Sequence, residues 1–150
     1  MFKHILIPTD GSKLSNEAAQ AGVRLAAALG ARVTGLFAAP PSTPVIYRGA
    51  LPAGFTTQEK HRKMTQKAAA EYLGVIEKAA RAARVRCETL TLTSDFPADD
   101  ILATARKRKC DLIFMSSHGR RGLRGLLLGS ETQKVLAEGA LPVLVYRKAR

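Results

Sequence analysis

Five short runs rich in Val, Ile, Leu and Thr punctuate the chain: Lys3 to Thr9, Ala31 to Ala38, Val85 to Thr93, Asp111 to Ser116 and Pro142 to Arg147. Several are continuously apolar rather than alternating, the pattern of strands covered on both faces in a parallel sheet. Between the runs, apolar residues recur at helical spacing. Strands that alternate with helices imply right-handed βαβ units and helices on both faces of the sheet. The expected fold is a three-layer α/β sandwich with a five-stranded parallel sheet and two helices on each face.

The first helix is expected from Ser15 to Leu29, with Ala18, Gly22, Leu25, Ala26 and Leu29 on its inner face and Gly30 as its stop. The second runs from Thr57 to Ala83, with Met64, Ala68, Tyr72, Ile76, Ala79 and Ala83 inward and its lysines and arginines mostly solvated. The third carries Pro97, Asp99 and Asp100 in its first turn and Arg106 to Lys109 at its end, signs that suit the helix dipole. The fourth starts at Ser130, whose spacing to Gln133 reads as a capping box, and stops at Gly139. From Ala39 to Thr56 the chain is rich in Pro, Gly and small residues with no period, the signature of a lid or mobile segment, and it leaves the end of the second strand, outside which ligands sit in open α/β sheets.

Composition narrows the partners. The chain has 150 residues, of a size typical of one domain, with 24 Lys and Arg against 12 Asp and Glu and a formal net charge of +12. An anionic partner is implied: a nucleotide, a nucleic acid or an acidic surface. The apolar runs are far shorter than the roughly 20 residues of a membrane span. The segment Met1 to Asp10 lacks a signal-type apolar core and cleavage site, so a cytoplasmic location is expected. Cys87 and Cys110 have no metal-ligand spacing and read as buried thiols near strand starts.

Two segments could carry chemistry. In Pro8-Thr9-Asp10-Gly11-Ser12 a buried strand ends in a carboxylate and a Gly-Ser turn. Asp10 at that place either accepts hydrogen bonds from ribose hydroxyls or an adenine edge, or serves only to cap the first helix or form a turn. After the fourth strand, Ser116-Ser117-His118-Gly119 leads through Arg120, Arg121, Gly122, Arg124 and Gly125 to Gly129-Ser130 at a helix start. Glycines that expose backbone amides, a hydroxyl, mobile arginines and a helix N-terminus together read as a phosphate cradle. No Lys-Ser or Lys-Thr follows the last glycine, which excludes a Walker loop, and the dinucleotide fingerprint would follow the first strand instead. His118 has no nucleophile elbow or carboxylate pair beside it, so it is read as packed in the crevice or donating to a phosphate, not as a general base.

These residues resemble the universal stress proteins of the small single-domain bacterial type, in the adenine nucleotide alpha hydrolase-like superfamily. The resemblance spans the chain and is carried by Ile5 to Ser12, Asp111 to Gly119, Leu126 to Ser130 and Leu141 to Val145. The nucleotide-binding branch of that family has the signature Gly-x2-Gly-x9-Gly-Ser/Thr. Here Gly119 is its second glycine and Gly129-Ser130 completes it, while Ser116 stands in place of the first glycine.

The resemblance implies a strand order of 3-2-1-4-5 and hence no disulfide between Cys87 and Cys110, which would lie on strands separated by two others. It places Pro8, Thr9 and Asp10 against adenosine, and the backbone of Ala38 against adenine. It sets Met115, Ser116, His118, Gly119, Arg120, Gly129, Ser130, Glu131 and Thr132 around ribose and phosphates. Glu131 would repel phosphate unless its carboxylate turned away to solvent or paired with Arg120, Arg121 or Arg124. ATP or AMP is the implied ligand, with or without Mg²⁺, and the implied role is a dimeric stress-response sensor or adaptor acting on an unknown protein partner. No catalytic residue, resident metal site, membrane association or nucleic-acid binding is expected, and ATP hydrolysis is expected to be slow at most. The homodimer is expected through the last strand, whose apolar edge would otherwise be unprotected. The alternative is a basic interaction protein without nucleotide that holds acidic partners or nucleic acid. An adenylating enzyme on the same fold lacks support, since no Ser-Gly-Gly-x-Asp-Ser loop follows the first strand.

Overall fold

The computed structural model describes residues 1–42, 57–119 and 128–148. Along them run β1 (His4–Pro8), α1 (Lys13–Leu29), β2 (Arg32–Ala39), α2 (Gln58–Ala82), β3 (Cys87–Thr93), α3 (Pro97–Lys107), β4 (Leu112–Ser116), α4 (Ser130–Glu138) and β5 (Val143–Tyr146). The strands pair in parallel in the order β3-β2-β1-β4-β5. Ile5 sits in register with Val33 on one side and Leu112 on the other.

The pleat divides the core in two. Ile5, Ile7, Val33, Phe37, Leu112 and Phe114 face α1 and α2, which contribute Ala18, Val23, Ala26, Leu73, Ile76 and Ala80. Leu6, Leu36, Ile113 and Met115 face α3 and α4, which contribute Ala98, Ile101, Ala105 and Val135. Each layer therefore holds two helices, and β1 and β4 are apolar on both faces because both are covered. Burying one such Ile or Leu contributes about 1.5–3 kcal/mol relative to leaving it in water.

Several helix details differ from the sequence expectation. Helix α1 begins before Ser15, because Ser12 is the cap and its hydroxyl accepts from the amide of Ser15 at 3.2 Å. No capping box forms on α4: Gly129 is the cap, Ser130 is already helical, and Gln133 Nε2 donates to the carbonyl of Leu128 at 3.0 Å instead. The inner stripe of α2 is Ala69, Leu73, Ile76 and Ala80, and Met64 is 57% exposed on first turns of α2 that carry no buried residue. Gly30 ends α1 in the left-handed region, whereas Gly139 ends α4 in an extended conformation. Most of the stretch from Ala39 to Thr56, from residue 43 onward, lies outside the described residues, as do Arg120, Arg121 and Arg124.

Both cysteines are free, as the strand order implied, with β2 and β1 between their strands. Cys110 is buried, but Cys87 is only half-buried at the edge strand. Burial pushes both thiols up to about 11, helped at Cys87 by Glu77 and Glu88. Among the described residues no helix is long and apolar enough to cross a membrane.

Candidate functional site

The order of strands reverses direction between β1 and β4, so the connections leaving their C-terminal ends diverge and open a crevice there. Pro8, Thr9 and Asp10 form one wall. Thr9 is buried and fixed from three sides: its amide donates to the carbonyl of Leu36 at 2.8 Å, its hydroxyl accepts from the amide of Gly11 at 3.1 Å, and it meets Ser15 Oγ at 3.1 Å. Asp10 follows, half-buried, with Oδ1 accepting from the amide of Ser12 at 3.0 Å. Of the two roles open to Asp10 as a purely local residue, the structure shows the turn, and Ser12 does the capping.

Gly11 is required by backbone geometry. Its φ of +73° is left-handed, and a Cβ there would run into the ring of Tyr72. Tyr72 in turn stacks edge-on against Phe37, with centroids 5.1 Å apart. The turn carrying Asp10 thus rests on α2 and β2. Ala38, the remaining candidate from β2, lies half-buried near the end of that strand.

The opposite wall comes from β4 and the segment after it. Met115 and Ser116 are buried, and the carbonyl of Ser116 accepts from Thr132 Oγ1 at 3.1 Å, tying α4 to β4. Ser117 is buried as well; its amide donates to the carbonyl of Tyr146 at 2.8 Å and its carbonyl accepts from the amide of Gly129 at 2.8 Å. His118 is half-buried with Nδ1 3.1 Å from Ser117 Oγ. Two glycines close the joint. A Cβ on Gly119 would overlap Asp10 Oδ2, and a Cβ on Gly129 would lie 3.2 Å from the Cα of His118. Neither glycine has a left-handed φ, so close approach, not backbone freedom, is what each supplies.

Gly129 places the N-terminus of α4 at the mouth of the crevice. The amides of Ser130, Glu131 and Thr132 have no carbonyl one turn back within the helix. Gln133 is the first whose amide returns to the cap, at 2.9 Å from the carbonyl of Gly129. The carboxylate of Glu131 turns away from this mouth, and its Oε2 accepts from the amide of Ala98 at 2.8 Å in the first turn of α3. That bond satisfies an otherwise orphan amide and draws a negative charge to a helix N-terminus, where it is stabilising. It also uses the side chain for architecture. Arg120 lies outside the described residues.

Chemically, the crevice offers a carboxylate acceptor on the β1 side and orphan amides with a positive helix end on the β4 side. Among the described residues no group of three or more His, Cys, Asp or Glu is placed to hold a metal ion. Ser15, Ser117 and Tyr72 also position the site, although the sequence reading did not assign them to it. Tyr72 was legible only as part of a helical stripe, and the serines gave no signal because their role is to satisfy backbone groups and a neighbouring hydroxyl.

The chain matches the Universal stress protein family over residues 1–147. It is 34% identical over 150 residues to universal stress protein MJ0531 of Methanocaldococcus jannaschii, covering 100% of this chain and 85% of that one. It is also 34% identical over 157 residues to a universal stress protein of Thermus aquaticus, covering 98% and 100%. Among solved structures it superposes on the hypothetical protein MJ0577 of Methanocaldococcus jannaschii with a TM-score of 0.78 at 23% identity, covering 100% and 99% of the two chains. A universal stress protein solved in complex with cAMP has a TM-score of 0.65 at 22% identity, with 99% and 98% covered. One from Archaeoglobus fulgidus in complex with dAMP has a TM-score of 0.59 at 17% identity, with 98% of both covered. On its sequence and on the architecture that the sequence folds into, this chain belongs to the universal stress protein family.

Proposed function

We propose that the chain binds an adenine nucleotide, ATP or AMP, across the crevice between β1 and β4. The observation that carries this reading is the joint itself: Asp10 of the β1 wall meets Gly119 of the β4 wall, and on that second wall Gly129 seats the N-terminus of α4 against His118. Pro8, Thr9 and Asp10 then meet the adenosine part, with the Asp10 carboxylate accepting from ribose hydroxyls, and the backbone of Ala38 faces adenine. Met115, Ser116, His118, Gly119, Gly129, Ser130 and Thr132 surround ribose and phosphates, with Arg120 as countercharge. Glu131 contributes its amide and not its carboxylate, which is held by Ala98. Ser116 in place of a glycine is compatible with this, because its carbonyl is engaged by Thr132 and its small side chain leaves the wall low.

Two family neighbours of the same fold were solved with adenine nucleotides, cAMP and dAMP, which supports the reading. With no carboxylate cluster beside the phosphates among the described residues, any Mg²⁺ would be held by phosphate oxygens and water. His118 has its Nδ1 3.1 Å from Ser117 Oγ, and no other side chain among the described residues of the crevice is paired as a general base would be. The role is therefore that of a nucleotide-dependent sensor or adaptor, paired into a dimer through β5, and not of an efficient enzyme.

Mass analysis of nucleotide released on denaturing freshly purified protein identifies the ligand. Gly129→Val should weaken ATP binding by at least roughly tenfold in a protein that stays folded, because the added methyls occupy the approach to the helix amides and press on His118. Unchanged affinity in calorimetry overturns the assignment.

A further inference from the structure

At the opposite end of the sheet, an open cleft of about 350 Å³ lies between the C-terminal ends of α1 and α2 and the beginnings of β1, β2 and β3. Four of its lining residues are cationic, Lys3, Arg32, Arg84 and Arg86, and none is acidic. All four are exposed, and none of their side chains has an ion pair or hydrogen bond among the described residues. They are brought together by the fold. The amide of Arg32 donates to the carbonyl of Lys3 at 3.0 Å and the amide of Val33 to that of Arg86 at 2.8 Å, so three cations stand at the starts of three adjacent strands, about 4.8 Å apart per step. Arg84 adds the fourth from the turn after α2, where it holds a left-handed φ of 56°.

A helix C-terminus attracts cations, which is the simplest reason for some of this charge. Two helix ends supply only about half a negative charge each, against four positive side chains. Both ends are also already satisfied internally, since the amide of Ala31 closes on the carbonyl of Ala26 at 2.9 Å and that of Val85 on Ala80 at 2.8 Å. The nearest acids are committed elsewhere: Asp111 accepts from the amides of Lys3 and His4, and Glu88 is held by Thr34 and Arg108. A surplus of positive charge remains around the cleft, and Arg32 also acts on His4, its register neighbour in β1.

We propose that this cleft is a second ligand site, separate from the β1/β4 crevice, for a compact oligophosphate anion. The chemistry of the lining selects the class. Besides the four cations it holds only Ala, Gly and Val, so no aromatic ring stacks on a base and no side-chain acceptor reads a base edge. Guanidinium forks and an ammonium recognise phosphate oxygens by charge and paired donors. The volume falls within the range of small-molecule pockets and suits a chain of a few phosphates better than a duplex surface. The proposal does not rest on the nucleotide reading, because no residue is shared between the two sites.

The test uses the full chain and inorganic tripolyphosphate, followed by calorimetry and by amide chemical shifts. Saturable binding is expected with shifts at Gly30, Ala31 and Val85, and Arg84→Gln combined with Arg86→Gln should weaken the binding that these shifts follow about tenfold or more. In Gly129→Val, whose crevice should no longer take phosphate, the shifts at Gly30, Ala31 and Val85 should persist. Should the double variant fail to fold, Lys3→Gln with Arg32→Gln gives the same readout, and the shift map on the unmodified protein stands independently. Three results overturn the proposal: affinity insensitive to these charges, shifts confined to Gly119 and Gly129 with loss in Gly129→Val, or a thymidine oligonucleotide that binds more tightly than tripolyphosphate through the same cations. The last would make the occupant a nucleic acid.

Discussion

Replacing Gly119 by Ala probes the crevice through a single methyl group. An ideal Cβ at this position overlaps Asp10 Oδ2 and lies 3.2 Å from its carboxylate carbon, and its three nearest neighbours among the described residues all belong to that carboxylate. The backbone of Gly119 is not left-handed, so alanine introduces no conformational strain of its own. What must move is Asp10, and its other oxygen is anchored on the amide of Ser12 at 3.0 Å. Rotating the carboxylate away from the methyl loosens that turn at a cost of about 0.5–1.5 kcal/mol, the worth of one ordinary hydrogen bond. A charge-assisted bond from the same carboxylate to a ribose hydroxyl contributes about 1.5–3 kcal/mol. Gly119→Ala should therefore weaken ATP binding by about 10- to 150-fold while lowering stability only slightly.

A double-mutant cycle separates this cause from a general disturbance of the segment. If alanine acts through Asp10, then Asp10→Ala and the double variant bind equally weakly, and the coupling energy is as large as the loss in Gly119→Ala alone. Calorimetric titration with ATP on all four proteins, with urea unfolding as the control for stability, measures each corner. Additive losses would show that Gly119 and Asp10 act separately, and wild-type affinity in Gly119→Ala would show that the carboxylate has no part in binding.

Gly11→Ala should cost about 2 kcal/mol or more in urea unfolding, since its left-handed φ and the ring of Tyr72 both oppose a Cβ. His4 is held below its ordinary value of 6.5 chiefly by burial and then by Arg32. Its contribution to stability is present above 6.5 and is lost as pH falls further through its folded value, so urea midpoints should drop in that acid window and drop less in His4→Gln. Leu144 is 39% exposed on the edge strand β5, and Leu144→Lys should yield monomers in sedimentation velocity if the proposed dimer pairs through β5; a monomeric unmodified protein at high micromolar concentration would remove that dimer.

The layers were legible because burial on both faces leaves a plain mark: Ile5-Leu6-Ile7 and Leu112-Ile113-Phe114 have no polar position to offer solvent. Strand order was not legible from periodicity, since neither the apolar runs nor their spacing encodes which strands are neighbours, and it came from the family resemblance. Helix ends failed where two residues competed for one role. Ser130 and Gly129 both stand at the start of α4, and the extended Gly129 took the cap because its amide is already bound to Ser117. At α1 the helix starts before Ser15 because the hydroxyl of Ser12 caps it. The destination of Glu131 was the least legible of all, because its partner is a backbone amide of Ala98 in a helix far away in sequence, and a backbone donor carries no residue-type signal. The inner face of α2 was misplaced by about one residue over its length: positions 68, 72 and 79 flank the buried stripe while 69, 73 and 80 form it, a small rotation for a helix whose alanines are apolar on nearly every side.

A net charge of +12 invites the inference that the charge serves the nucleotide, yet the described walls of the crevice contain two carboxylates and one histidine and no lysine or arginine. At that end, recognition in the described walls rests on amide dipoles and the fixed partial charge of α4, which act over the length of a hydrogen bond or a helix turn. The cations Lys3, Arg32, Arg84 and Arg86 stand at the other end, joined there by Arg106 to Lys109 at the end of α3. Exposed charges separated by more than about 10 Å are largely screened from one another at moderate ionic strength, so this group does little for a phosphate at the mouth of α4. The basic cluster at the strand starts and the glycine-lined joint are therefore two independent features of the chain, each with its own claim on an anion.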